Sequence, residues 1–179
     1  GHKGVAFARF EAHGRACHAS QPEAGRNAVV ALARAVVALD GLGQRLRETV
    51  SPRFGSATLS IGPIAGGRAP NVVPDHAWLV VDRRVLPGED EASLRVQFEQ
   101  ALREAGVEGV ALEDCSIEKP ALGTDEGHAC VEVCRVALRE QGLPDAPEVA
   151  AFATDAGLLG RAGLPSVVMG PGRIERAHT

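Results

Sequence analysis

Residues 56–64 read Ser-Ala-Thr-Leu-Ser-Ile-Gly-Pro-Ile, and this stretch indicates the fold most directly. Polar residues at positions 56, 58 and 60 alternate with apolar residues at 57, 59 and 61, and the pair Gly66-Gly67 follows. A period of two is typical of a strand with one buried face, and paired glycines mark a turn. We therefore predict a half-buried strand over residues 56–64.

The sequence on either side carries the signals of three more strands and two helices. Strand patterns cover residues 4–17, 77–86 and 110–118. Helical spacing of apolar residues covers 23–47 and the stretch from the turn at 87–90 to 104. Asp40-Gly41 is expected to end or interrupt the first helix. The order strand, helix, strand, strand, helix, strand predicts an α+β protein with a ferredoxin-like βαββαβ domain over residues 1–118.

Residues 119–179 are predicted to belong to a second domain. A helix is expected at 130–141, a further segment at 152–163 and a strand at Ser166–Met169. Roughly 60 residues are too few to build a core of their own. We therefore expect this segment to be an incomplete part of a larger domain, and the chain to be part of a longer protein.

The composition excludes two classes of partner. The formal net charge is −4, with 19 basic and 23 acidic residues dispersed along the chain, which argues against a nucleic-acid surface. No apolar run approaches the roughly 18 residues that could cross a bilayer, so no membrane is expected. The four cysteines form no CxxC pair, which favours a reducing compartment, and a cytoplasmic location is expected.

A histidine in the loop after the first strand is the first candidate for a functional residue. His18 lies in Gly-Arg-Ala-Cys-His-Ala-Ser-Gln-Pro-Glu, residues 14–23, where small residues allow close approach to the backbone. For this motif by itself, a turn histidine without a function is an equally good interpretation. The other motifs of the chain distinguish the two.

Six motifs follow one another along the chain. They are His2-Lys3-Gly4, Gly14-x-Ala16-x-His18-x-Ser20-x-Pro22-Glu23-x-Gly25-x-Asn27-Ala28, Asn71-Val72-Val73-Pro74-Asp75, Asp82-x-Arg84-x-Leu86-Pro87-Gly88, Phe152-Ala153-Thr154-Asp155-Ala156 and Gly170-Pro171-Gly172-x-Ile174-x-x-Ala177-His178. In this order they resemble successive blocks of the M20 family of metal-dependent peptidases and amidohydrolases, and among its members the acetylornithine deacetylases.

The resemblance implies a homodimeric hydrolase with two divalent metal ions, zinc or alternatively cobalt, and a small N-acyl amino acid as substrate. Residues 1–118 would be its dimerisation, or lid, domain, and residues 119–179 part of an α/β zinc-exopeptidase-like catalytic domain. His178 would be a metal ligand. His18 would reach into the partner subunit's active site and donate a hydrogen bond to the scissile carbonyl oxygen.

The resemblance also implies substrate contacts, each with an alternative. Asn71 would lie near the substrate or serve only in a turn, and Arg84 would bind the substrate α-carboxylate or pair with Asp82 or Glu89. Thr154 and Asp155 would both lie close to the substrate, and Asp155 could instead cap the following helix. The glycines of the last motif, Gly170 and Gly172, would leave room for metal and substrate.

The catalytic set is incomplete in this chain. There is no His-x-Asp motif, no His-Glu-x-x-His motif and no adjacent Glu-Glu pair, so we expect this segment by itself to be inactive. Three alternatives stay open. They are a carboxypeptidase of the same family, a desuccinylase, and a ferredoxin-like self-association module without catalysis.

Overall fold

The computed structural model describes residues 1–170. In this part of the chain the elements are β1 (Gly4–His13), α1 (Ala28–Glu48), β2 (Val50–Ser51), β3 (Gly55–Ser56), β4 (Thr58–Gly66), β5 (His76–Val85), α2 (Glu91–Glu104), β6 (Val110–Lys119), α3 (Ala129–Glu140) and α4 (Ala156–Arg161). None of the described helices is both long and apolar enough to cross a bilayer.

The four long strands form one antiparallel sheet in the order β4-β5-β1-β6, and β2 and β3 form a separate short hairpin. Each helix that follows β1 or β5 returns the chain to an outer strand, which gives the split βαβ arrangement of ferredoxin-like folds. The ferredoxin-like fold expected from the sequence is confirmed.

The core lies between one face of the sheet and the helices α1 and α2. The inward residues of β1 are at most 1% exposed, whereas outward Phe7 is 43% exposed. Phe10 of β1 meets Phe98 of α2 edge to face, with ring centroids 5.5 Å apart, and Leu32 and Leu39 of α1 join the same cluster. The other face of the sheet carries the outward side chains of β1 and β5, and within residues 1–170 no helix packs over it.

The helix α1 begins at residue 28, later than the predicted 23, and continues through Asp40-Gly41 without a break to residue 48. Leu39 before this pair and Gly43 after it are both buried. A Cβ at Gly43 would lie only 3.4 Å from the carbonyl oxygen of Leu59, so the helix packs closely on β4. Burial of these flanking turns outweighs the cost of about 1 kcal/mol for a helical glycine. The expected break at Asp40-Gly41 is wrong.

Residues 120–170 contact the start of β1 through backbone hydrogen bonds. The Leu122 amide donates to the His2 carbonyl oxygen at 2.9 Å, and the Lys3 amide donates to the Ala150 carbonyl oxygen at 3.0 Å. The strand expected at Ser166–Met169 is not formed. A strand needs a neighbour for its hydrogen bonds, and within the described residues no strand lies beside this stretch.

Candidate active-site elements at the two ends of the sheet

The residues expected to be functional lie at opposite ends of the sheet. At one end, which we call the His18 end, loops 14–27 and 67–75 follow β1 and precede β5. At the other, the Thr154 end, residues 120–156 contact the start of β1. β1 joins the two ends with ten residues, which at about 3.3 Å per residue separate them by roughly 30 Å. Within one chain, the two ends therefore cannot contact the same small molecule.

The two loops of the His18 end lie side by side. The Val73 amide donates to the Cys17 carbonyl oxygen at 2.9 Å, and the Ala19 amide donates to the Asn71 carbonyl oxygen at 3.0 Å. These bonds continue the pairing of β1 with β5 beyond the ends of the strands. They bring His18 and Asn71 into adjacent positions.

Two glycines allow loop 14–27 to fold back on itself. A Cβ at Gly14 would lie 2.0 Å from the Arg26 carbonyl oxygen, and a Cβ at Gly25 would lie 2.7 Å from the Arg15 carbonyl oxygen. Carbon and oxygen atoms do not approach this closely without bonding, so any other residue would push the two arms of the loop apart. This is the physical reason for glycine on both sides of His18.

The hydrogen bonds of the exposed His18 side chain determine its tautomer. Its Nδ1 accepts a hydrogen bond from the Ser20 amide at 3.2 Å and lies 2.7 Å from the Ser20 hydroxyl oxygen. Because a backbone N–H can only donate, Nδ1 carries no proton, and in the neutral ring the proton is on Nε2. Nε2–H makes no hydrogen bond within residues 1–170, so it is available to an external acceptor. Sequence reasoning assigned no role to Ser20, whose spacing of two from His18 was the available signal.

Asn71 presents a second polar group beside His18. Its backbone oxygen is used by Ala19, and its side chain is exposed. The amide is therefore free to donate to an oxygen without carrying a charge. The residue lies in a turn, so the structure is compatible with both interpretations of the sequence.

The charges near the His18 end are locally balanced. The Arg68 guanidinium, hydrogen-bonded to Asp75, holds the pKa of that carboxyl below its usual value. Hydrogen bonds from His76 and Arg9 likewise lower the pKa of Glu11. Both carboxylates are therefore ionised at neutral pH, and each has a basic neighbour.

At the Thr154 end, a buried histidine holds the hydroxyl of Thr154. His2 is 1% exposed, and its Nε2 lies 3.0 Å from the Thr154 hydroxyl oxygen. The same oxygen accepts the Ala156 amide at 3.2 Å, so that Thr154 provides the side-chain bond at the start of α4. The sequence placed His2 in a motif but gave no signal of its burial or of this contact.

Asp155 does not cap α4. Its side chain makes no cap hydrogen bond and forms an ion pair with Lys119 at the end of β6. The carboxylate is 77% exposed, so this pair is open to solvent. The helix-capping alternative for Asp155 is therefore wrong, because Thr154 occupies that role.

Arg84 lies at the Thr154 end and not beside His18. It is opposite Val5 in the sheet, near the last residue of β5. Its Nε and Nη2 donate to the two carboxylate oxygens of Asp82 at 2.9 and 3.0 Å. This is the ion pair that the sequence left as an alternative, and its guanidinium remains one-third exposed.

The neighbouring Arg83 was missed by sequence reasoning. It faces the core, its side chain is fully buried, and its Nη2 donates to Glu89 Oε1 at 2.6 Å. The second oxygen of Glu89 accepts the Leu86 amide at 2.7 Å. This network fixes the turn between β5 and α2. The available signal was a charged residue at a position where the alternation of the strand points side chains toward the core.

The last motif is only partly described. Gly170 is exposed, and a Cβ there would meet no atom within 4 Å, so no contact within residues 1–170 requires glycine. Gly172 and His178 lie outside the described residues. Across residues 1–170, no three His, Cys, Asp or Glu side chains are placed to hold a metal ion. The described residues therefore do not fit the two-metal centre that the resemblance implies.

Comparison with known protein families identifies the class of protein. Residues 1–110 match the peptidase dimerisation domain of the M20 family, a range that begins before β1 and ends at the first residue of β6. The chain therefore belongs to the M20 peptidase dimerisation-domain family.

Curated relatives extend the similarity beyond that domain. An acetylornithine deacetylase of Myxococcus xanthus is 32% identical over 184 residues, covering 98% of this chain and 47% of the relative. A probable carboxypeptidase of Aspergillus clavatus is 37% identical over 97 residues, covering 52% of this chain and 23% of the relative. The chain thus spans less than half the length of these relatives.

Solved structures show the same fold. A tripeptidase of Staphylococcus aureus superposes with a TM-score of 0.74 at 24% identity, over 94% of this chain and 43% of that chain. An M20 family metallo-carboxypeptidase of Sulfolobus solfataricus superposes with a TM-score of 0.62 at 16% identity, over 91% of this chain and 49% of that chain. Both superpositions include residues beyond the domain that the family comparison matches.

Proposed function

We propose that this chain supplies the dimerisation domain and part of the active site of a metal-dependent hydrolase that cleaves the amide bond of an N-acyl amino acid, with acetylornithine deacetylase-like specificity. The separation of roughly 30 Å between the His18 end and the Thr154 end carries the proposal. One small substrate can meet both ends only if each comes from a different chain. A symmetric homodimer provides that arrangement twice.

In this proposal His18 is the catalytic residue of the His18 end. Its free Nε2–H donates to the scissile carbonyl oxygen as negative charge develops there, an interaction worth about 3 kcal/mol in comparable sites. The Ser20 contacts keep the proton on Nε2 and hold the ring in place. Asn71 lies beside it and donates its amide to a substrate oxygen.

The partner chain's Thr154 end would hold the rest of the substrate. Thr154 and Asp155 lie nearest to it, Arg84 would bind a carboxylate by exchanging its contact with Asp82, and Gly170 and Gly172 leave room for the ligand. Two divalent ions, zinc or cobalt, would be bound by His178 together with residues that this chain does not contain. Residues 1–170 would bind and orient the substrate, and the metal ions, when bound, would supply an activated water.

The proposed dimer forms through residues 1–118, with residues 119–179 as part of the catalytic domain. Within residues 1–170, β4 lies at one edge of the sheet and β6 at the other, and the outer backbone groups of β4 can pair with a second copy. The charge balance gives no reason to expect nucleic acid as a partner. A cytoplasmic location is consistent with a deacetylase of amino-acid biosynthesis, here arginine biosynthesis.

Two observations favour a deacetylase over the carboxypeptidase and desuccinylase alternatives. The similarity to the deacetylase covers 98% of this chain, against 52% for the carboxypeptidase. The sequence also shows Gly157-Leu158-Leu159 where the desuccinylases carry an arginine shortly after the threonine motif.

The test is a substrate comparison with the full-length protein, loaded with zinc or cobalt. N-acetylornithine, an N-succinylated amino acid and a dipeptide with a C-terminal carboxylate are compared by kcat/KM. We expect the acetylated substrate to be preferred at least roughly tenfold, or by about 1.4 kcal/mol. Hydrolysis of the dipeptide alone would favour the carboxypeptidase, and no hydrolysis of any substrate would refute the proposed function.

A further inference from the structure

His2 is a buried histidine with a hydrogen-bond partner at each ring nitrogen. Its Nδ1 lies 2.9 Å from the Lys3 carbonyl oxygen, and its Nε2 lies 3.0 Å from the Thr154 hydroxyl oxygen. His2 and Thr154 are 152 positions apart in the chain. Because His2 is 1% exposed, water cannot replace either partner.

These partners determine where the protons are. A carbonyl oxygen can only accept, so Nδ1 of His2 carries the proton. Burial lowers the pKa of His2, which keeps the ring neutral at neutral pH. Nε2 is therefore a bare acceptor, and the Thr154 hydroxyl donates its only proton to it.

The hydrogen bonds that the Thr154 hydroxyl can still form are found by counting its proton and its acceptor sites. A hydroxyl has one proton and two acceptor sites. The proton is used by His2, and one acceptor site is used by the Ala156 amide at 3.2 Å. One acceptor site remains, and the residue is partly exposed.

We propose that His2 is a positioning residue that makes Thr154 a hydrogen-bond acceptor toward the substrate, so that Thr154 binds an N–H group and not a carbonyl or carboxylate oxygen. This inference rests on the proposed function, which places Thr154 beside the substrate. The amide N–H of an N-acyl amino acid is a group of the required kind. The neighbouring Asp155 carboxylate can also only accept when ionised, so Thr154 and Asp155 together select a donor group.

The tautomer of His2 is tested directly by NMR of this chain, labelled with 15N in its histidines. The variant His2→Gln identifies the signal. We expect the His2 ring to be protonated on Nδ1 and bare on Nε2 at pH 7, in contrast to His18, whose proton is expected on Nε2. A proton on Nε2 of His2 would overturn the inference, because Thr154 would then keep its own proton for the substrate.

The selection of N–H is tested in the full-length enzyme with an N-acyl amino acid and the matching ester, in which oxygen replaces N–H. Thr154→Val removes the acceptor and should lower kcat/KM for the amide roughly fivefold, the effect of one hydrogen bond, while leaving the ester unaffected. Thr154→Ser is the matched control and should keep the preference. An equal loss for amide and ester would overturn the inference.

Variants at position 2 test the positioning role. His2→Gln keeps an acceptor oxygen within reach of Thr154 and should retain most of the amide preference, whereas His2→Phe removes the acceptor and should lose it. Equal preference in both variants would count against His2 acting through Thr154. If the wild-type enzyme hydrolyses neither substrate, the proposed function fails, and with it the binding role of Thr154. The NMR result still decides the polarity of the His2–Thr154 contact.

Discussion

The two ends of the sheet hold their polar side chains in opposite ways. At the His18 end, backbone bonds between two loops fix the main chain, while the His18 and Asn71 side chains are exposed and offer donors that make no hydrogen bond within residues 1–170. At the Thr154 end, the hydroxyl of Thr154 has two partners, one of which is the buried His2. The His18 end thus offers donors, whereas Thr154 and Asp155 at the other end offer acceptors. They complement each other on a single substrate only when two chains meet.

The largest expected effect on activity is at the His18 end. In the full-length enzyme, His18→Ala should lower kcat by about 100- to 1000-fold, because a hydrogen bond to developing charge is lost. Metal content should not change. His13→Ala is the matched control, since His13 is an exposed histidine at the same end, and it should change kcat little. Equal losses in both variants would remove the special role of His18.

The next largest effect is a difference in stability between variants of the two neighbouring arginines of β5, Arg83 and Arg84. Arg83→Met should lower the free energy of unfolding by about 3 kcal/mol, because it leaves Glu89 without its buried partner. Arg84→Met should cost less than about 1 kcal/mol, because the Asp82 pair is open to water. Urea denaturation of this chain measures both values. A larger loss for Arg84→Met would contradict the assignment of Arg83 as the structural arginine.

A smaller effect is expected in the pH dependence of stability. The pKa of His2 is lowered from 6.5, mainly by burial. As pH falls below 6.5 the unfolded chain takes up a proton at His2 before the folded chain does, so stability present above this value is lost toward lower pH. His2→Gln should flatten this part of the profile, measured by urea denaturation between pH 7 and 5. An unchanged slope in the variant would show that other groups cause it.

The smallest effect is expected at the exposed ion pair of the Thr154 end. Asp155→Asn should change the free energy of unfolding by less than about 0.5 kcal/mol, because both side chains of the pair with Lys119 are largely open to solvent. The same urea experiment measures this change. A loss of about 2 kcal/mol would indicate that Asp155 supports α4 after all.

The fold could be predicted from the sequence because the periodicity of the apolar residues identifies each strand and helix locally, and the order of these elements indicates the fold. The alternation at 56–64 and the helical spacing through Leu94 and Phe98 lie in β4 and α2 as expected. The continuation of α1 through Asp40-Gly41 could not be predicted, since the packing of Gly43 on Leu59 overrides a local helix-ending signal. Packing of this kind depends on residues distant in the chain.

The candidate site was predictable only in part. The motifs named His18 and Asn71 as candidate residues, and the structure places them in adjacent loops. The order of the motifs could not show that Arg84 lies at the end of the sheet opposite to His18, because it contains no information on distances. Nor could it show the burial of His2 or Arg83, since each depends on a partner in another element.

The most direct test of the shared site is subunit mixing. Full-length His18→Ala and His178→Ala proteins, each nearly inactive, are unfolded together, refolded at equal ratio and assayed. Random pairing makes half of the dimers hybrids with one intact site each, so about a quarter of the wild-type activity should return. If activity stays at the level of the separate variants while mass spectrometry shows that hybrids have formed, His18 and His178 serve the same chain's site and the account is contradicted.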